Sequence, residues 1–105
     1  MRADTLKGHL DFLLLAALQH RPSHGYAVVE TLRVRSGGSF DLPEGTIYPA
    51  LHRLERAGLL ASRWSEESGR RRRTYRLTAR GTQALARRQR DWKQFATAVE
   101  AVAGA

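Results

Sequence analysis

The sequence predicts a mainly α-helical fold with one small β-hairpin, and three observations predict it. Three amphipathic helical segments fill the first half of the chain, set apart by Pro22, Gly37-Gly38 and Gly58. Residues that favour strands then flank the polar stretch 66–71. From residue 79 to about residue 102, apolar side chains return at helical spacing. Three helices followed directly by a hairpin is the order of a winged helix-turn-helix, here extended by a long C-terminal helix.

At 105 residues the chain has the size of one domain and buries roughly two-thirds of its unfolded surface on folding. It carries 18 basic against 10 acidic side chains, a formal net charge of +8. Such an excess points to a polyanionic partner, with nucleic acid first and an anionic membrane surface second. Cysteine is absent, which excludes disulfides, thiolate metal sites and cysteine nucleophiles. The longest apolar run, 12–18, is too short to span a bilayer and lacks the flanks of a signal peptide, so a cytoplasmic protein without membrane contact is expected.

Leu10, Leu13, Leu14, Ala17 and Leu18 predict a first helix over about residues 9–20, stopped by Pro22. Ser23 suits the N-cap of a second helix from 24 to about 35, with Tyr26, Val29 and Leu32 on its apolar face and Gly37-Gly38 at its end. A short extended stretch leads to Pro43-Glu44-Gly45-Thr46, which opens a third helix closed by Gly58. A proline is tolerated where its missing N–H had no partner, so Pro49 places the start near Gly45 or Thr46 and itself in the first turn. Ile47, Leu51 and Leu54 then face the core. Pro49, His52, Arg53 and Arg56 face away from it, with Thr46 and Tyr48 beside them at the N-terminal end.

Strands are expected over 59–65 and 72–78, joined by a tip at 66–71, with Trp64 and Tyr75 as a cross-strand pair covering the core. Thr78 suits the N-cap of the last helix, about 36 Å long at 1.5 Å per residue. Along it Leu85, Arg88, Trp92, Phe95, Val99 and Val102 are spaced three, four, three, four, three. That is a heptad seam broken by one arginine, and it implies a partner helix, most simply the same helix of a second copy. The chain therefore divides into a winged-helix domain, 1–78, and a dimerisation helix, 79–105.

Function follows from what the third helix exposes. An α-helix fits the major groove of B-DNA and reads it from the outward face near its N-terminus. Thr46 and Tyr48 can bond phosphates or base edges, His52 and Arg53 can reach guanine acceptors, and the apolar atoms of Thr46 and Pro49 suit a thymine methyl, with Arg56 on the same stripe. The hairpin adds Gly69, Arg70, Arg71 and Arg72, placed where a wing meets backbone phosphate or the minor groove. Arg73, already inside the strand, is expected to point elsewhere. The aromatics Trp92 and Phe95 read as anchors of the dimer seam, or as walls of a pocket for a flat hydrophobic or aromatic effector between subunits.

No constellation supports an enzyme, and no cofactor is implied. The four histidines, His9, His20, His24 and His52, lie on separate elements, and Pro22 interrupts the only helical pairing among them. Neither a Gly-rich phosphate loop nor a nucleophile elbow occurs.

The stretches His24-Gly25-Tyr26, Gly45-Thr46-Ile47-Tyr48-Pro49-Ala50-Leu51-His52-Arg53-Leu54-Glu55 and Gly58-Leu59-Leu60 resemble the PadR family of transcriptional regulators. The run Arg72-Arg73-Thr74-Tyr75-Arg76-Leu77-Thr78, with Gly81, is similar to that family's wing strand and the start of its final helix, so the resemblance covers about residues 6–85. It implies a winged-helix homodimer that represses transcription and is released by a small effector such as a phenolic acid or hydrophobic drug. Tyr48, with Thr46, Pro49, His52 and Arg53, falls on the family's recognition helix, Gly69 to Arg72 on its wing tip, and Tyr26 near the DNA-facing surface. The single long C-terminal helix resembles the family's compact subgroup.

Two other readings compete with a sequence-specific repressor. Charge alone also fits a non-specific architectural or RNA-binding protein. A ligand sensor whose main partner is another protein would make the basic face incidental.

Overall fold

The computed structural model describes Leu6 and residues 8–104. Its elements are α1 (Leu10–Ala17), β1 (Ser23–His24), α2 (Gly25–Arg35), α3 (Glu44–Arg56), β2 (Leu60–Glu67), β3 (Arg70–Leu77) and α4 (Ala79–Ala103). The winged-helix order of the sequence is present, with one strand more than the hairpin alone supplies.

Helix α1 consists of leucine, alanine, phenylalanine and a single aspartate, and it packs against α2, α3 and α4. It ends at Ala17, earlier than expected, because Leu18 already leaves helical geometry. Pro22 is not its stop. The cause is tertiary: Ser23 and His24 pair with Tyr75 and Thr74, giving a sheet in the order β1-β3-β2. Ser23 is thus a strand residue, and His24 caps α2 instead, its Nδ1 accepting the Ala27 N–H at 3.2 Å. On α2 the buried side is Gly25, Val28 and Leu32, whereas Tyr26, expected on the apolar face, is exposed. The helix closes in a Schellman motif, with Gly38 N–H on the Arg33 carbonyl and Gly37 N–H on that of Val34.

Helix α3 buries Ile47, Ala50, Leu51 and Leu54. It begins at Glu44, so Pro49 is its sixth residue and stands in the second turn, not the first. The hydrogen bond lost there would have gone to the Gly45 carbonyl. Gly45 is exposed and that carbonyl can bond water, which limits the cost. At the other end Leu59 N–H bonds the Leu54 carbonyl and Gly58 N–H that of Glu55. Gly58 takes φ +81, a conformation glycine reaches without strain, and turns the chain at once into β2.

The hairpin tip is two residues rather than six. Ser68 and Gly69, at φ +52 and +77, form the turn between strands of eight residues each, with the positive φ pair of a type I′ hairpin. Arg70, Arg71 and Arg72 therefore belong to β3. The register sets Leu60 opposite Leu77, Ser62 opposite Tyr75, Trp64 opposite Arg73 and Glu66 opposite Arg71. Opposed residues share a face. One face of the hairpin thus carries Leu60, Leu77 and Tyr75 into the core and continues outward as Trp64, Arg73 and Arg71. Trp64 and Tyr75 do not pair over the core, because Tyr75 is buried and Trp64 lies beyond the core edge, 56% exposed.

Thr78 ties α4 to the turn after α3. Its Oγ1 accepts the Gly81 N–H at 3.0 Å and donates to the Gly58 carbonyl at 2.7 Å. Leu85, placed by spacing in the dimer seam, is 2% exposed and packs in the core of its own chain. Arg88 also folds inward, donating to the Gly8 carbonyl at 2.9 Å, with its guanidinium 5.5 Å from the Phe12 ring centre. Beyond it the helix leaves the core.

Candidate nucleic-acid interface

The exposed side of α3 and the inner face of the hairpin form the two walls of an open groove of about 750 Å³. Tyr48, His52 and Glu44 line it from α3, His24, Gly25 and Tyr26 from the start of α2, and Trp64, Tyr75 and Arg70 to Arg73 from the sheet. Local sequence builds each wall. Gly25 has no Cβ, and one added there would lie 2.3 Å from Tyr48 Cε1, so this glycine makes room for the tyrosine ring. His52 stands over the floor, its ring centre 6.4 Å from that of Tyr75.

Thr46, Pro49, His52, Arg53 and Arg56 are all exposed and Tyr48 is half-buried. At 3.6 residues per turn, Tyr48 and His52 flank the wing side, Pro49 and Arg56 lie centrally, and Thr46 and Arg53 take the far side. Arg53 is engaged within the chain: its two Nη atoms donate to the two Asp11 carboxylate oxygens, each at 2.8 Å. That bidentate pair raises the Arg53 pKa and pins α3 to α1. Arg56 makes no hydrogen bond or ion pair among the described residues.

The wing arginines divide by strand parity. Arg71 lies 4.8 Å from the Trp64 ring centre and Arg73 5.7 Å, both on the groove face. Arg72, expected at the wing tip, has the opposite parity and turns to β1 at the groove's edge, with Nη1 2.9 Å from Nε2 of His24. Arg73 is held further, its Nε donating to Ser62 Oγ at 2.8 Å and its Nη2 3.6 Å from Glu55 Oε1. Ser62 Oγ in turn donates to Glu55 Oε2 at 2.5 Å.

Under the groove, the Tyr75 hydroxyl is buried with no hydrogen-bond partner among the described residues. Burial pushes its pKa above the ordinary tyrosine range. On α4, Trp92 is 48% and Phe95 60% exposed, with Val99 and Val102 exposed beyond them. His9 meets Trp92 edge-on at 6.0 Å, and a shallow hollow of about 210 Å³ runs between His9, Phe12, Arg88, Asp91, Trp92 and Phe95. No group of three or more metal-ligating side chains is found among the described residues.

Residues 14–87, from within α1 to the early turns of α4, match the transcriptional regulator PadR-like family. The chain belongs to this family. Among curated proteins it is similar to the Mycobacterium tuberculosis transcriptional regulator Rv3488, 40% identical over 76 residues that span 72% of this chain and 68% of that relative. A PadR family regulator from Clostridium difficile superposes with a TM-score of 0.82 at 32% identity, covering 92% of this chain and all of that one (100%). A PadR-like regulator from Bacillus cereus reaches a TM-score of 0.86 at 25% identity, over 98% of this chain and 99% of the other. The protein is thus a PadR-like, DNA-binding regulator of transcription with a winged-helix fold, in a family of regulators and not of enzymes.

The sequence singles out Tyr48, His52 and Arg70 to Arg72 in the groove's lining, and Tyr26 by resemblance, but neither the other lining residues nor what fixes them. Arg73, expected to point elsewhere, lies on the groove face. The Asp11–Arg53 pair joins residues 42 positions apart, and the Glu55–Ser62–Arg73 link needs the strand register. Only the charges of Asp11 and Glu55, acidic residues among basic neighbours, signal either one beforehand.

Proposed function

We propose that the protein is a homodimeric repressor that binds a palindromic operator, α3 entering the major groove while the hairpin meets the adjoining backbone and minor groove. One observation carries this reading: a continuous groove whose walls are the free face of α3 and the arginine-bearing face of the hairpin. A phosphodiester strand laid in it would meet Arg71, His24, Tyr26 and Tyr48, and α3 would then present Pro49, His52 and Arg56 to base edges.

In this proposal residues 1–78 are the DNA-binding unit and the segment 79–105, through α4, joins two copies by Trp92, Phe95, Val99 and Val102. Two-fold symmetry sets half-sites about one helical turn apart, about 34 to 36 Å. The aromatic hollow beside Trp92 is where a small hydrophobic or aromatic effector would act on the spacing of the two readers.

Selection of bound sequences from random duplexes, followed by footprinting on the protein's own promoter, tests the proposal. A palindromic consensus and a bounded footprint support it, and enrichment of no sequence over another favours the non-specific reading that charge alone allows. On the selected operator, replacing Arg70 and Arg71 by glutamine should weaken binding to all sequences and flatten the salt dependence. Replacing His52 should instead change base preference by about 1 to 3 kcal/mol at one position.

A further inference from the structure

We propose that Glu55 is a positioning residue for DNA recognition, its carboxylate fixing the angle between α3 and the wing through Ser62 and Arg73 and withholding Arg73 from phosphate. The inference rests on the interface proposed above and concerns what holds its two walls.

Glu55 sits in the last turn of α3, Ser62 in β2 and Arg73 in β3, so the three side chains join three elements at one place. That place is mechanically special. β1 pairs with β3 only at Thr74 and Tyr75, so from Arg73 outward the wing is a two-stranded ribbon with no third strand beside it. An isolated hairpin is marginal in water and bends easily. The tip at Gly69 lies four residues beyond Arg73, about 13 Å, and a tilt of about 10° at the base moves it by about 2 Å. A strut at Glu55 therefore acts where the wing leaves the core.

The charge of Glu55 needs its own account. A carboxylate on a face that must approach phosphate opposes binding, and a glutamine could accept the Ser62 hydrogen bond equally well. What glutamine lacks is the attraction to Arg73. Ser62, Glu55 and the Trp64 ring all hold Arg73, while for Arg71 only the Trp64 ring does so among the described residues. Glu55 thus sorts the wing arginines into one that braces and others that bind.

The test uses the full chain with Glu55→Gln, Arg73→Gln and both together, titrated with selected operator and with a random duplex over a series of salt concentrations. Each phosphate neutralised contributes about 0.9 to the slope of log affinity against log salt. Glu55→Gln should steepen that slope by about one, tighten binding to random duplex and lower the ratio of operator to random affinity. Arg73→Gln alone should leave the slope as in the wild type, and so should the double variant. The proposal is overturned if Glu55→Gln leaves slope and ratio unchanged, or if Arg73→Gln alone flattens the slope by about one. A purely structural Glu55 would lower the melting temperature and weaken both duplexes alike, which also overturns it. If the wild type fails to distinguish operator from random duplex, the operator reading fails, and the slopes on random duplex still decide the role of Glu55.

Discussion

Gly25 and Tyr75 show how single positions serve the groove and the fold differently. Gly25 leaves the space that the Tyr48 ring fills, and a methyl there meets only the outer end of that ring. Gly25→Ala should change stability by about 1 kcal/mol or less, since alanine is also the better helix former. Operator affinity should fall markedly, because the ring must swing into the groove, and thermal melts beside binding titrations separate the two effects. Tyr75 has the reverse balance. Its hydroxyl is buried without a described partner, so Tyr75→Phe should be neutral or stabilising, by up to about 1 kcal/mol. Its phenol also titrates later in the folded protein than in the unfolded chain, because burial disfavours the anion. Stability linked to it is complete below about pH 10, where both states are protonated, and is lost as pH rises through the folded value. Alkaline denaturation followed by circular dichroism should show a smaller loss above pH 10 in Tyr75→Phe.

Among the elements, α3 is held from three sides, by Asp11 on α1, by the Tyr48 ring over Gly25 on α2, and by Ser62 and Arg73 on the hairpin. A helix interrupted by Pro49 needs such anchors, since its own ladder lacks a hydrogen bond in the second turn. The junction to α4 is tighter. A Cβ at Gly81 would lie 2.0 Å from the Leu59 carbonyl oxygen, and both are backbone. Gly81→Ala must push α4 off the turn that follows α3, at a cost of about 1 to 3 kcal/mol even though α4 itself favours alanine. Urea denaturation would show this as a lower midpoint with unchanged slope.

At the scale of the molecule, α4 gives the chain its length, 52 Å against 28 and 21 Å in the other directions. Its first turns are core, through Gly81 and Leu85, and its later turns expose Trp92, Phe95, Val99 and Val102. Aromatic and β-branched side chains at heptad spacing on one exposed face match the seam of a helix pair. Changing Trp92 and Val99 to glutamate should give a monomer in sedimentation and remove operator binding, because each half-site is weak without the other. The folded core should persist, since neither residue belongs to it. A variant that stays dimeric would place the seam on another surface.

The sequence by itself determined the order of the four helices and the hairpin, the buried stripe of α3 and the basic character of the hairpin. Those features repeat with the period of a helix or strand, or lie next to each other in the chain. Tertiary structure decided the rest. Ser23 and His24 became a strand because β3 offered them an edge, and α1 ended early to deliver them there. Leu85 went to the core and Arg88 to Gly8, although their spacing along α4 is the same as that of the exposed Trp92, Phe95, Val99 and Val102, because the globular part ends between Arg88 and Trp92. Which arginine is held by a carboxylate and which is not depended on strand parity and on acidic residues distant in sequence. Periodicity is a property of one element, whereas a partner is chosen only once separate elements have been brought together.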